Sequence, residues 1–347
     1  MPDRRVQVAI DNWAPRFVAQ GVDYNDFVRT TSRIDTWEEW LPEWVATGHV
    51  HRGLAEEAEA AGNSVTAGEA WVRAALAYHF AKFVWILDPE QNREATERAK
   101  AAVYAAWKHL DPSAERLEVP FDGATLAGNL RGPRDAPLVL LIPGLDSTKE
   151  EFFGWEGVFL RRGLATFSFD GPGQGESGFT THIRPAYEAP VAAALDTLDW
   201  PGPVGAVGVS LGGYYAPRAA AREKRLRAVV GVSGSFCVGE DWDALPPLTK
   251  ETFQHHSGAA DEESARRRAL DLDLSGVIRE LDQPALLVTG KLDRIVPWRQ
   301  TKRIADEAPN AEFVLYEEGN HVANNMPYRY RPLAADWLRR QLSEAGS

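Results

Sequence analysis

A single cysteine, Cys237, in 347 residues leaves no partner for an internal disulfide. That fits a reducing compartment, and the residue reads as a small apolar filler rather than a nucleophile. Basic charge is also short. Lys and Arg number 38 against 50 Asp and Glu, a formal net charge of -12, so the basic face that nucleic acid or an anionic membrane surface requires is not expected. No apolar run approaches membrane-spanning length, and the opening MPDRRVQVAIDNW lacks the apolar centre of a signal peptide. The expectation is a cytoplasmic protein with neither a nucleic-acid nor a membrane partner. What is plentiful is tryptophan: there are twelve, and eight fall between Trp13 and Trp155, which concentrates large aromatic surfaces in the first half of the chain.

Residues 1–110 read as helical. Trp71, Ala74, Ala75, Tyr78, Lys82 and Trp85 recur at helical spacing, and Phe80, Phe83, Val84 and Leu87 widen the apolar face beyond one stripe, so this helix is expected to be buried on several sides. Asp88-Pro89 supplies an N-cap and a first helical residue for the next helix, through Leu110. His79, between Tyr78 and Phe80, reads either as a pocket residue or as a satisfied core histidine. His49-Val50-His51 lacks a Cys or acidic cluster to complete a metal site and reads as surface.

At Asp111-Pro112-Ser113 the pattern becomes strand-like, and residues 111–347 alternate strand and helix, with a small insertion over 236–282. Asp122-Gly123 marks a hairpin, and Leu138 to Ile142 is an unbroken apolar run of the kind a central parallel strand needs. The fold class expected is α/β, a doubly wound, mostly parallel sheet, whose ligands bind beyond the carboxyl ends of the strands.

The chemistry gathers at those ends. Gly208-Val209-Ser210-Leu211-Gly212 follows a strand and opens a helix, a setting in which glycines two residues either side of the serine permit a tight turn with the hydroxyl exposed. A serine hydroxyl needs a base, and the base needs a carboxylate. Asp293 and His321 follow later strands, so Ser210, Asp293 and His321 stand in the chain order expected of this arrangement. Leu211, after the nucleophile, and Leu145, after Pro143-Gly144, are the expected oxyanion donors. Glu240, Asp146, His79 and Tyr214 are candidate substrate contacts.

From about residue 116 onward the chain resembles the α/β-hydrolase superfamily, with Asp170-Gly171-Pro172-Gly173-Gln174-Gly175-Glu176-Ser177 matching a loop frequent in its serine hydrolases; Asp170 and this loop are taken as structural. Gly144-Leu145-Asp146-Ser147-Thr148-Lys149-Glu150-Glu151, Ser210-Leu211-Gly212-Gly213, and Trp242-Asp243 with Pro247-Leu248-Thr249-Lys250-Glu251 resemble the branch of 2,6-dihydroxypseudooxynicotine hydrolase, the fungal polyketide-shortening hydrolases and the fermentation-respiration switch protein. The resemblance implies a cofactor-free, metal-free serine hydrolase, a homodimer, a helical N-terminal lid (1–110) over the active site of the catalytic domain (111–347), and an apolar or aromatic small-molecule substrate. In the best-known members the bond cleaved is carbon-carbon, beside an aryl ketone. One departure stands out: where the carbon-carbon hydrolase carries an extra carboxylate, this chain has Ala244, Leu245 and Pro246, with Glu240, Asp241 and Asp243 near but out of register. Glu240 is the candidate to replace it. A carboxylesterase or lactonase, and a non-catalytic ligand-binding or regulatory protein on the same fold, remain as alternatives.

Overall fold

The computed structural model describes residues 3–344. These residues form two compact units, one of residues 3–114 together with Glu150–Gly154, the other of Glu115–Lys149 and residues 155–344.

The first unit is helical: α1 (Arg4–Gln20), α2 (Tyr24–Thr31), α3 (Trp40–Ala60), α4 (Ser64–Ala81) and α5 (Pro89–Leu110). Its core is aromatic. Phe17 stacks on Phe80 at 3.8 Å between centroids and meets Trp40, Trp44 and Phe83 at steeper angles. Two glycines let the helices close in: a Cβ on Gly48 would lie 2.4 Å from the Tyr78 ring, and one on Gly68 2.5 Å from Leu110. Every residue from Ala74 to Ala81 is buried, as the broad apolar face predicts. The helix nevertheless ends at Ala81, short of the expected Leu87. Val84 takes φ +45°, and Phe83 turns in to meet Trp13 edge-on at 5.1 Å, so aromatic packing outweighs helical continuation. Asp88 caps α5 as expected, its carboxylate accepting from the Glu90 and Gln91 N–H groups.

The second unit runs β1 (Glu115–Phe121), β2 (Ala124–Arg131), β3 (Leu138–Ile142), α6 (Phe153–Leu160), β4 (Ala165–Asp170), α7 (Glu188–Leu198), β5 (Val204–Val209), α8 (Leu211–Arg222), β6 (Leu226–Val232), α9 (Pro247–Ser257), α10 (Glu262–Asp271), β7 (Ala285–Gly290), α11 (Trp298–Glu307), β8 (Ala311–Tyr316) and α12 (Pro327–Glu344). The first two residues of α6 belong to the helical unit. The eight strands form one sheet in the order β1-β2-β4-β3-β5-β6-β7-β8; β1 and β2 are antiparallel to their neighbours and the rest are parallel. The unbroken apolar runs of β3 and β5 are buried along their whole length, as strands covered on both faces must be. From β3 the chain steps to β4 on one side and then returns to β5 on the other. Such a reversal opens a crevice between two adjacent strand ends. Here those ends are Ile142 and Gly208, paired in register. At the C-terminus α12 starts five residues before the expected Pro332, which sits inside the helix and withholds its N–H only from the carbonyl of the exposed Tyr328.

Candidate active site

The turn after β5 is as tight as its glycines suggest. Ser210 is held at φ +55°, ψ -117°, and its N–H donates to the Val232 carbonyl at 2.9 Å. A Cβ on Gly208 would lie 1.9 Å from the Gly212 carbonyl oxygen, and one on Gly212 would lie 2.2 Å from the Ile142 oxygen. Both obstructions are backbone, so no side-chain adjustment relieves them.

Two further strand ends converge on the hydroxyl. After β7, the Asp293 carboxylate accepts from the Ile295 and Val296 N–H groups at 2.9 and 2.8 Å, which fixes its orientation. After β8, His321 lies between the two: its Nδ1 is 2.9 Å from Asp293 Oδ2 and its Nε2 is 3.0 Å from Ser210 Oγ. The β7 and β8 loops touch through glycine, since a Cβ on Gly290 would lie 2.3 Å from the Gly319 oxygen. Val322 follows at φ +59° and donates its N–H to Ser233 Oγ at 3.0 Å, a strained backbone held by its surroundings. An imidazole bonded to a hydroxyl on one side and a carboxylate on the other can take the hydroxyl's proton and carry it to a leaving group.

Leu145 and Leu211 stand on either side of Ser210, one in the loop after β3 and one at the first position of α8. The loops are close: a Cβ on Gly144 would lie 3.2 Å from that of Ser210. Among the described residues no protein acceptor is paired with the backbone N–H of either leucine, as a helix's first N–H and a loop N–H facing a crevice would allow.

Ser210 lies in the wall of a narrow cleft of about 50 Å³. Its walls are mainly apolar, with Leu145, Leu211, Val238, Leu245, Phe253 and Val296 among them. Leu245, at the departure from the carbon-carbon hydrolase pattern, is thus a wall residue. The carboxylate in the wall is Asp241, not the expected Glu240. Gln300 Nε2 donates to both acids at 2.8 Å, but Glu240 is half exposed and reaches toward Arg303, whereas Asp241 is only 18% exposed and bonds Arg299. Adjacent residues in a turn face different ways, and register reasoning along the sequence could not say which faces inward. Cys237 also lines the cleft, and burial raises its thiol's pKa, so it stays protonated.

The other candidates have other partners. Tyr214 is fully buried, its hydroxyl toward the Pro185 carbonyl, and it is not in the cleft wall. His79 is fully buried in the helical unit, 3.3 Å from Glu151, against Phe80. Asp146 follows Leu145 in its loop and is partly exposed. Asp170 accepts from both the N–H and Nζ of Lys149 at 2.9 Å, a buried structural tie.

A family model described as "Esterase FrsA-like" matches residues 25–244 of this chain. The chain belongs to the FrsA-like esterase family. A prolyl oligopeptidase family model matches this esterase-family chain as well, over residues 198–345. The 2,6-dihydropseudooxynicotine hydrolase of Paenarthrobacter nicotinovorans is 34% identical over 339 residues, covering 94% of this chain and 90% of its own. The 20-hydroxy-prefusarin hydrolase FUS2 of Gibberella moniliformis is 34% identical over 242 residues, 62% of this chain but 57% of its own length. The crystal structure of the 2,6-dihydroxy-pseudo-oxynicotine hydrolase superposes with a TM-score of 0.86 at 33% identity, covering 96% of this chain and 97% of that one. This FrsA-like protein is therefore an α/β-hydrolase enzyme. Among its described residues no helix is long and apolar enough to cross a membrane.

Proposed function

We propose that this enzyme is a serine hydrolase in which Ser210 Oγ attacks a substrate carbonyl carbon. The observation that carries the reading is the imidazole of His321, bonded on one side to Ser210, which lines an apolar cleft, and on the other to Asp293. His321 Nε2 takes the hydroxyl proton as the carbon-oxygen bond forms, and the new oxyanion is held by the N–H groups of Leu145 and Leu211. Collapse of this adduct breaks the bond to the leaving group, which receives the proton from His321; water, deprotonated by His321, then releases the acyl group and regenerates Ser210. Asp293 keeps the proton-bearing Nδ1 oriented and stabilises the imidazolium.

The substrate read from the cleft is an apolar acyl or ketone compound, and the resemblance favours one cleaved beside an aryl ketone. Carbon-carbon cleavage makes a demand that ester hydrolysis does not. The departing carbon carries an electron pair that needs a neighbouring carbonyl or electron-poor ring, or an acid placed on it. Asp241 is the wall carboxylate available for that task, but both its oxygens are already engaged, Oδ1 by Arg299 and Oδ2 by Gln300. Activated substrates such as 1,3-diketones are therefore expected, with activated aryl esters turned over as well. The second reading, a plain carboxylesterase or lactonase, is favoured by Leu245 in the wall.

A fluorophosphonate is expected to label Ser210 alone, and Ser210→Ala is expected to abolish both labelling and turnover with the melting temperature unchanged; wild-type turnover in that variant would overturn the mechanism. Offered an aryl ester, a lactone and a 1,3-diketone, the wild type is expected to cleave the ester and the diketone. Asp241→Asn is expected to leave diketone and ester cleavage in the wild-type ratio, and a selective loss of the diketone would give Asp241 the acid's task. Turnover of esters without any diketone cleavage would assign a carboxylesterase instead.

A further inference from the structure

The loop Asp170 to Ser177 carries one side chain whose bonding goes beyond holding itself together. Gln174 is fully buried, and both ends of its amide are engaged. Oε1 accepts from the Gly171 N–H at 3.0 Å and the Tyr187 hydroxyl at 2.8 Å, while Nε2 donates to the carbonyls of Pro143 at 2.7 Å and Gly144 at 3.0 Å. The amide cannot be turned round, because the Gly171 N–H can only donate and the two carbonyls can only accept. Burial keeps Tyr187 a neutral hydroxyl, its ring stacked on Tyr215 at 3.9 Å. Gly171 is what lets Tyr187 reach: a Cβ there would lie 2.1 Å from its hydroxyl oxygen.

The two carbonyls belong to the segment that precedes Leu145. In a planar trans peptide the C=O and N–H point opposite ways. Holding the Gly144 carbonyl toward Gln174 therefore turns the Leu145 N–H away from Gln174, and Gly144 itself lies close to Ser210, since a Cβ on it would stand 3.2 Å from the serine Cβ. We propose that Gln174, held by Tyr187, is a positioning residue that sets the Pro143–Gly144 peptides so that the Leu145 N–H meets the oxyanion formed on the Ser210-bound substrate. The inference rests on the serine-hydrolase reading above, and it extends the role of this loop from a structural tie to transition-state stabilisation. A preset peptide needs no reorganisation as charge develops, which is where such donors gain their effect.

The test is the kinetics of Ser210 phosphonylation by a fluorophosphonate, which needs the oxyanion site but no identified substrate. Gln174→Leu removes both donors; Gln174→Glu keeps the shape and the acceptor, and serves should the leucine variant not fold. In both, the maximal inactivation rate is expected to fall by about ten- to a hundredfold, part of the loss seen when an oxyanion donor is deleted, while the half-saturating probe concentration stays unchanged. Tyr187→Phe is expected to lie between wild type and these variants. A wild-type maximal rate in the Gln174 variants would overturn the proposal, as would a loss confined to probe affinity and melting temperature, which marks packing alone. Labelling that survives in Ser210→Ala would instead sink the serine-hydrolase reading. Labelling confined to Ser210, with the Gln174 variants unaffected, would sink only the positioning role.

Discussion

At the scale of the residue, the site depends on small side chains as much as on reactive ones. Ser210 is presented at positive φ because Gly208 and Gly212 leave room for backbone against backbone. Gly212→Ala would place a methyl 2.2 Å from the Ile142 oxygen and 2.6 Å from the Pro143 oxygen, pushing the loop after β3 off the start of α8. The expected outcome is a loss of about 1–3 kcal/mol of stability, the usual cost of overpacking, together with a loss of activity larger than the fraction unfolded explains. Urea unfolding and fluorophosphonate labelling of the same preparation measure the two separately; full activity in the folded fraction would show that the loop tolerates the shift. Asp241 carries a different lesson. Its chemistry was visible in the sequence, but which of two adjacent acids faces the cleft depends on α11, where Arg299 takes hold of Asp241 and Arg303 pairs with Glu240.

At the scale of the element, the helical unit holds a buried ionic cluster. Arg16 of α1 donates from both Nε and a terminal nitrogen to Glu151 at 2.7 Å, and Gln20 Nε2 adds a third bond at 2.9 Å. Burial alone would raise the Glu151 carboxyl, but Arg16 and then His79 hold it well below the usual range. Burial lowers the pKa of His79, against the pull of Glu151. The sign for stability follows. The unfolded chain protonates this histidine near pH 6.5, before the folded one does, so stability is full above that value and declines as pH falls below it. The Glu151 contribution persists lower, being lost only as pH drops below the ordinary carboxylate range toward its depressed folded value. His79→Gln is therefore expected to flatten the dependence of melting temperature on pH between about pH 7 and 5, and an unchanged slope would move the acid sensitivity elsewhere.

At the scale of the whole molecule, Glu150–Gly154 leaves the chain of the sheet-bearing unit to be counted with the helical unit. A chain beginning at residue 115 keeps Glu151 but loses Arg16, Gln20 and His79. Stripping one partner from a buried ion pair costs about 3–5 kcal/mol, so the shortened chain is expected to be aggregated or inactive on size-exclusion chromatography and labelling. Adding Glu151→Leu to it is expected to recover part of the yield. A soluble, fully labelled chain without that change would show that the segment refolds without its helical partners.

Much of this was legible in the sequence because it is written in local chemistry. The unbroken run Leu138 to Ile142, the hairpin turn at Asp122-Gly123 and the cap at Asp88 each specify their element through nearest neighbours alone, and strand ends carrying Ser210, Asp293 and His321 need only the alternation of β and α to be placed at the carboxyl ends of one sheet. Tertiary structure decided the rest. The end of α4 at Ala81 follows from the packing of Phe83 on Trp13, a contact 70 residues apart. The inward acid at 241, and the grip of Gln174 on the loop before Leu145, depend on side chains that meet only after the sheet has brought distant segments together. Hydrogen-bond partners separated by 30 residues or more leave no periodic signal, and a buried glutamine reads in sequence like any other loop amide.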